Sequence, residues 1–462
     1  MTPDPRPPSA RRRAPGEPRP PADRSAEGAV ARLANAADVA DPADAAARSA
    51  ELVSRIRAEI ESSPDRRITF ARYMERALYE PDLGYYRGAA ARPTDAGDFL
   101  PAPETHAIFG WTVARRLESM WDELGRPRPF DVIEYGAGSG TLALSILDGI
   151  RRHGSTGGSV GGSVGGSVGG SIGGSAGGST GESAGLLAAV RYEPIESNPY
   201  RLADLRDGFE KAGLGGRLAT SSPTESAGPT ASVGSVPVTG VILANEFLDA
   251  LPVHRFVVRG GKLLELYVAW KDGFVEVAAE SSTPALAERL AEDGIDVGQL
   301  AEGQVGEISL GLGEWLREVA ARLARGYVLI IDYGYEAPEL YGPRHLAGTL
   351  LGYRGHRVEE NPFAAPGETD LTAHVDFTAV AQLAAGHGLR TLPLTTQSEF
   401  LVAAGLEDEL RALQAAPDLE PADYLRARSG IVRMLDPRHM GRFRVLTLER
   451  DASAGAPATP AR

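Results

Sequence analysis

Cysteine is absent from all 462 residues. That excludes disulfides, thiolate nucleophiles, zinc–thiolate centres and cysteine-ligated clusters. No apolar run reaches the ~18–20 residues that cross a bilayer as a helix, so no membrane span is expected. Basic charge is in deficit, with 48 Lys and Arg against 62 Asp and Glu and a formal net charge of −14. A duplex nucleic-acid partner needs a basic face to displace counterions, so only a local basic groove is left room for. An acidic chain suits a cationic substrate, although a solvated surface accounts for such charge just as well. The eight histidines show no HExxH or similar ligand spacing, and no metal site is expected.

Hydrophobic residues make up 42 % of the chain and charged residues 24 %, both ordinary for a globular protein. Residues 1–60 read as a mostly disordered extension. The first 28 are rich in Pro and Arg and carry too few large apolar groups to offset chain entropy. Residues 29–50 are Ala- and Asp-rich and weakly helical. A single large unit spans 66–450, followed by a disordered tail at 451–462. Within it, Gly157–Thr180 repeats a Gly-Gly-Ser-x tetrad, too short to form a supersecondary unit, so 154–185 is expected to be a flexible insertion. Residues 219–239 read as a low-complexity loop. Residues 254–325 read as an inserted subdomain, with a hairpin region turning at Gly260-Gly261 and Asp272-Gly273 and a helix from Gly313 to Arg325. Helical spacing predicts helices over Ile68–Tyr79 and Ile108–Leu124. Short buried strands are expected at Asp131–Glu134 and Tyr327–Asp332. Strands alternating with helices indicate a parallel α/β sheet.

Three loops carry chemistry. The first is Val132-Ile-Glu-Tyr-Gly-Ala-Gly-Ser-Gly140, a strand entering a glycine turn before a helix. Glycines let backbone approach a ligand closely, and the helix N-terminus offers unpaired N–H groups. The G-x-G-x-G spacing of Gly136, Gly138 and Gly140 departs from the dinucleotide G-x-G-x-x-G. It suits S-adenosylmethionine (SAM), whose ammonium Glu134 would hold. A turn without a ligand is the alternative. The second loop ends the strand Val190-Arg-Tyr-Glu-Pro-Ile-Glu196. Glu196 lies 56 residues beyond Gly140, and removing the 32-residue insertion leaves 24. That is close to the ~20 residues that bring a ribose-binding acid into a nucleoside site. A bare surface acid is the alternative. The third loop is Val241-Ile-Leu-Ala-Asn-Glu-Phe-Leu-Asp-Ala-Leu-Pro252, at the carboxyl end of a strand where open α/β sheets bind ligands. Asn245, Glu246 and Asp249 are candidates to line a methyl-transfer site, with helix capping by Asn245 or Asp249 as the competing role.

At these residues the chain resembles the MidA-like SAM-dependent methyltransferases. Further matches include Phe70-Ala-Arg-Tyr-Met74, Leu78-Tyr-Glu-Pro-Asp-Leu-Gly-Tyr-Tyr86, Gly97-Asp-Phe99, Asp332-Tyr-Gly334, Asp370-Leu-Thr-Ala-His-Val-Asp-Phe377 and Met440-Gly-Arg-Phe-Arg-Val445. The resemblance runs from about Ile68 to Leu446. It implies a class I methyltransferase fold: a Rossmann-like sheet with helices on both faces and an added substrate-covering subdomain. It also implies that Gly97, Asp98 and Phe99 pack over the cofactor, beside Glu134, Gly136, Gly138 and Glu196. Ala137 replaces a proline common in the family. The low-complexity loop stands where the family's adenine contact is usual, leaving that contact unassigned.

His374 and Asp376 are either a catalytic pair or a buried structural one. Asp332 and Tyr333 either face substrate or close the sheet. Trp111, Trp121, Trp270 and Trp315 read as packing residues. By resemblance to mitochondrial members, the acceptor is expected to be a protein arginine, with a respiratory-chain subunit among the candidate partners. A small-molecule methyltransferase and a SAM-binding assembly factor that acts without catalysis are the competing readings. An NAD-dependent enzyme fits the glycine spacing poorly. The composition suggests a bacterial cytoplasmic protein.

Overall fold

The computed structural model describes residues 42–88, 105–155, 183–219, 236–355, 357–416 and 419–451. The tetrad repeat, Gly97–Phe99 and most of the low-complexity loop lie outside them, as do residues 1–41 and 452–462.

The expected extension over 1–60 requires correction at its end. Helix α1 (Pro42–Ser62) packs Leu52, Ile56 and Ile60 against Phe70, Tyr73 and Met74 of helix α2 (Phe70–Tyr79). These three apolar residues recur every four positions, which turns one helix face inward. The Ala- and Asp-rich start of α1 masks that stripe in composition. Strand β1 (Arg67–Thr69) joins the two helices. Thr69 caps α2, its hydroxyl accepting from Arg72 N–H at 3.1 Å.

Next come α3 (Ile108–Glu123), β2 (Phe130–Tyr135), α4 (Thr141–Ser155), α5 (Ser183–Ala189), β3 (Val190–Ile195), α6 (Pro199–Lys211) and β4 (Val238–Asn245). Helices α4 and α5 reach to the edges of the tetrad insertion, and β4 takes over the last residues read as loop. The inserted subdomain follows: β5 (His254–Arg259), β6 (Lys262–Trp270), β7 (Phe274–Ala279), α7 (Ala285–Glu292) and β8 (Val305–Ile308). Gly260 and Gly261 adopt φ of +58° and +70° between Arg259 and its partner Lys262. Two left-handed residues match the twist of a two-residue hairpin, and glycine adopts them at no steric cost. Strand β6 pairs β7 along one edge, and β5 then β1 along the other. The subdomain is therefore completed by a strand from the N-terminus. Helix α8 (Gly311–Arg322), expected inside the insertion, belongs instead to the core layer. Its Leu312, Trp315, Leu316 and Val319 pack on Ile242, Val328 and Ile330.

The chain then runs through β9 (Leu323–Asp332), β10 (Gly334–Tyr335), α9 (Ala337–Leu340), β11 (Leu351–Arg354), β12 (Arg357–Glu359), β13 (Asp370–Thr372), β14 (Val375–Asp376) and α10 (Phe377–Gly386). It ends with β15 (Arg390–Thr391), β16 (Thr395–Thr396), α11 (Gln397–Ala403), α12 (Leu406–Gln414), α13 (Pro421–Leu435) and β17 (Arg444–Arg450). The central sheet has the order β15-β17-β9-β4-β2-β3, with β16 also on β17. Strands β2, β3, β4 and β9 are parallel, and β17 is antiparallel. Alternate residues face opposite layers. Val132, Val241, Leu243, Leu329 and Ile331 meet one helix layer, while Ile133, Ile242, Val328 and Ile330 meet the other. From β2 the chain steps outward to β3, then crosses back to β4. This reversal opens a crevice at the carboxyl end of β2, the usual ligand position of such sheets.

Candidate cofactor and acceptor site

The crevice begins at the glycine loop. Gly136, Gly138 and Gly140 adopt φ of +69°, +55° and +85°, a region that disfavours any residue with a Cβ. A Cβ on Gly140 would stand 2.7 Å from Leu205, and one on Gly136 3.1 Å from the Phe247 ring. Above Gly138 nothing lies within 4 Å of that position. Two glycines thus serve packing, and the third leaves open space over the loop. The Gly140 carbonyl accepts from Leu144 N–H at 2.9 Å, starting α4 directly behind the loop.

Two acids flank it. Glu134, 3 % exposed, accepts from the Tyr192 hydroxyl at 2.7 Å. Burial pushes its carboxyl up to about 8, the Tyr192 bond opposes that and the charge of Glu196 adds to it. Glu196 accepts from Gly138 N–H at 2.8 Å through Oε2 and from Asn198 N–H at 2.7 Å through Oε1. A carboxylate has about four acceptor positions, so two hydroxyls can still be accommodated. Asn198, which the sequence did not single out, caps α6 through its Oδ1. Its amide donates to Tyr86 O at 3.0 Å and Gly88 O at 3.1 Å. Arg87 donates to Ser197 O at 2.6 Å. The N-terminal segment is thereby fastened to the end of β3, next to Glu196. Only an Asn followed by Pro199 hinted at the cap.

The fourth-strand loop forms the other wall. Glu246 takes φ of +48°, and its N–H donates to Ile331 O at 2.8 Å. A non-glycine residue in that region marks strain held by its surroundings. Asn245 donates to Glu246 Oε1 at 3.4 Å, while its own buried Oδ1 has no partner among the described residues. Capping by Asp249 is corrected. The cap of the turn Leu248–Ala250 is Asp332, whose Oδ2 accepts from the N–H groups of Phe247, Leu248 and Asp249 at 3.2, 2.9 and 3.4 Å. Burial holds the Asp332 carboxyl well above its usual range. Asp249, 5 % exposed, accepts the Tyr333 hydroxyl on Oδ2. Its Oδ1 is buried with no partner among the described residues. Burial pushes Asp249 up to about 7; the Tyr333 hydroxyl opposes this most, and nearby backbone amides add to that without completing a hydrogen bond to Oδ1. Tyr79 donates to Ala250 O at 2.9 Å, Ala373 N–H donates to Asp249 O at 3.0 Å, and Tyr86 donates to Asp370 at 2.6 Å. Segments far apart in sequence thus clamp one loop.

His374 packs on the Tyr333 ring, which bonds Asp249, with the two ring centroids 5.4 Å apart. Burial lowers the imidazole to about 4, so it is neutral near pH 7. It forms no pair with Asp376, whose Oδ1 instead caps α10 by accepting from Thr378 and Ala379 N–H at 2.9 and 3.1 Å. Both residues line a cavity of about 30 Å³ together with Leu248, Arg289 and Asp293, room for a water or two. No cluster of metal-ligating side chains occurs among the described residues. No helix among them is long and apolar enough to cross a membrane.

The residues present fit SAM: a glycine loop open at Gly138, a buried acid for an ammonium and a second acid for ribose hydroxyls. Comparison with known proteins agrees. A family model described as "Putative S-adenosyl-L-methionine-dependent methyltransferase" matches residues 112–157 and 188–395. The mitochondrial "Protein arginine methyltransferase NDUFAF7 homolog" of Drosophila melanogaster is 28% identical over 418 residues, covering 86% of this chain and 84% of that protein. The Mus musculus mitochondrial "Protein arginine methyltransferase NDUFAF7" is 28% identical over 395 residues, covering 82% and 80%. A Burkholderia thailandensis structure bound to S-adenosyl-homocysteine (SAH) superposes with TM-score 0.71 at 30% identity, covering 91% of this chain and 97% of that one.

Proposed function

The chain belongs to this family of SAM-dependent methyltransferases, and from that membership we propose that its methyl acceptor is a protein side chain, the guanidinium of an arginine. The observation that carries the reading is the set of buried, unpartnered acceptors Asn245 Oδ1 and Asp249 Oδ1 at the end of β4. Orphaned acceptors in a buried wall are costly unless a donor arrives. A guanidinium brings five N–H donors in a fixed plane and a charge that acidic neighbours favour. The names of the Drosophila and mouse relatives support the same acceptor.

SAM, when bound, supplies a methyl group on a positively charged sulfur. The residues of this chain provide the rest. Glu196 would receive the ribose hydroxyls, and the Gly136–Gly140 loop with Glu134 the amino-acid end. Asn245, Glu246 and Asp249 would orient the acceptor nitrogen. Asp332 keeps their loop in shape from beneath. Alignment of nucleophile with methyl is the main contribution available to such a wall. Asp249, titrating near neutrality, can hold the proton a guanidinium releases on methylation.

The test is incubation with methyl-labelled SAM and peptides centred on Arg, Lys or Gln, followed by mass spectrometry of the labelled residue. Methylarginine supports the reading. Label confined to lysine or to small molecules overturns it. In Glu246→Gln, turnover on the Arg peptide should fall strongly while SAH affinity changes little, because the amide keeps the shape and loses the charge.

A further inference from the structure

Helix α13 does not match the charge of the rest of the chain. Between Pro421 and Arg444 stand six arginines and two aspartates, within a protein of net charge −14. Arg426 is paired with Asp423 and Arg438 with Asp436. Arg428, Arg433 and Arg442 form no ion pair among the described residues and are exposed. The helix buries Ala427, Gly430, Ile431 and Met434. Its outward face carries Leu425 and Val432, 57 % and 60 % exposed. Seven positions apart, they lie on one side, with Arg428 and Arg433 beside them.

The chain leads from this helix directly to the acceptor wall. A short turn, Met440–Arg442, leads from α13 into β17. Arg444 at the start of β17 pairs in register with Asp332, the cap of the acceptor loop. Phe443 packs on the Tyr333 ring at 5.3 Å. The field of Arg442 reaches Tyr353 and His374. An acidic wall and a basic helix bearing two exposed apolar residues are thus joined by one short segment.

We propose that the outward face of α13 docks an acidic segment of the protein substrate, anchored by apolar side chains, which flanks the residue to be methylated. This rests on the protein-acceptor reading above. Charge complementarity selects the occupant: acidic residues meet Arg428 and Arg433, and an apolar side chain covers Leu425 and Val432. Two exposed apolar residues make too small a face for insertion into a lipid surface. The wall and the helix then recognise opposite charges, which fixes the direction in which a chain crosses the site.

The probes are synthetic peptides with one central Arg and flanks of Glu and Leu, of Ser and Gly, or of Lys and Leu. Binding is measured by fluorescence anisotropy with SAH present, at low and high salt. The Glu/Leu peptide should bind at least ten-fold more tightly than the Lys/Leu peptide, with the margin shrinking as salt screens the charges. Arg428→Glu with Arg433→Glu should erase the margin while SAH affinity stays unchanged. Leu425→Ser with Val432→Ser should weaken the Glu/Leu peptide several-fold. Equal binding of all peptides, or a margin that survives the charge reversal, overturns the proposal. So does binding to phosphatidylserine vesicles, lost on charge reversal, without any peptide preference. Methylation of Arg peptides whatever their flanks would refute the docking face and leave the guanidinium reading intact. A flank preference that persists with citrulline at the centre, with no methylarginine formed from the Arg peptide, would do the reverse.

Discussion

Glu134 couples cofactor binding to a proton. Its carboxyl is buried, bonded to Tyr192 and raised to about 8. A group titrating there is about nine-tenths protonated at pH 7. An ammonium placed against it favours the carboxylate. If Glu134 holds the ammonium end of the ligand, binding at pH 7 must release about 0.9 proton. Affinity should then rise about nine-fold from pH 6 to 7 and about five-fold from pH 7 to 8, because ever less of the population must first ionise. Nine-fold corresponds to ~1.3 kcal/mol. The measurement is calorimetry of SAH binding in buffers of differing ionisation heat, on the wild type and on Glu134→Gln. The variant keeps an oxygen for Tyr192 and removes the titrating group. Proton release should disappear from it, and its affinity profile should flatten relative to wild type. Subtracting the variant removes any ionisation of the ligand itself. Equal proton release in both proteins would show that Glu134 does not meet the ammonium, and the assignment would fail.

Glu196→Ala should weaken SAH binding by about 1–3 kcal/mol, the cost of leaving hydroxyls unpaired; unchanged affinity by calorimetry would remove Glu196 from the site. Asp249→Asn should keep the acceptor for Tyr333 and lower turnover on an Arg peptide with SAH affinity intact, and wild-type kcat would refute its place in the wall. Deletion of Gly157–Thr180 should leave SAH affinity and Tm nearly unchanged, since doubling a flexible loop costs only ~0.6 kcal/mol; loss of folding would contradict the linker reading. Asp376 is raised to about 7 by burial. A raised carboxyl contributes stability at low pH that is lost as pH climbs through its folded value. The Tm of Asp376→Asn, which retains the α10 cap, should therefore gain on wild type between pH 5 and 7 and hold that gain above; parallel Tm–pH curves would be inconsistent with the buried acid.

The glycine loop was legible because its signal is local. Three glycines behind a buried strand and before a helix require left-handed backbone, and Gly136, Gly138 and Gly140 adopt it. The Gly260-Gly261 hairpin is legible for the same reason. The position of Glu196 needed only strand spacing once the tetrads were set aside. Helix α1 is hidden in the sequence because alanine and aspartate surround three apolar residues that matter only when α2 is present to receive them.

What the sequence determined by itself is therefore a SAM-type loop, the alternation of strands and helices that marks a parallel α/β sheet, and a polar loop after β4. Tertiary structure alone decided the work of each acid in that loop. Asp332 lies 84 residues from Leu248 and caps its turn, and Tyr333 lies 84 residues from Asp249 and bonds it. Such partners are set by which strands become neighbours. When β9 pairs with β4, the Asp at its end comes beneath the unpaired N–H groups of residues 247–249. A turn's missing acceptor cannot be read from the turn's own residues when another strand supplies it.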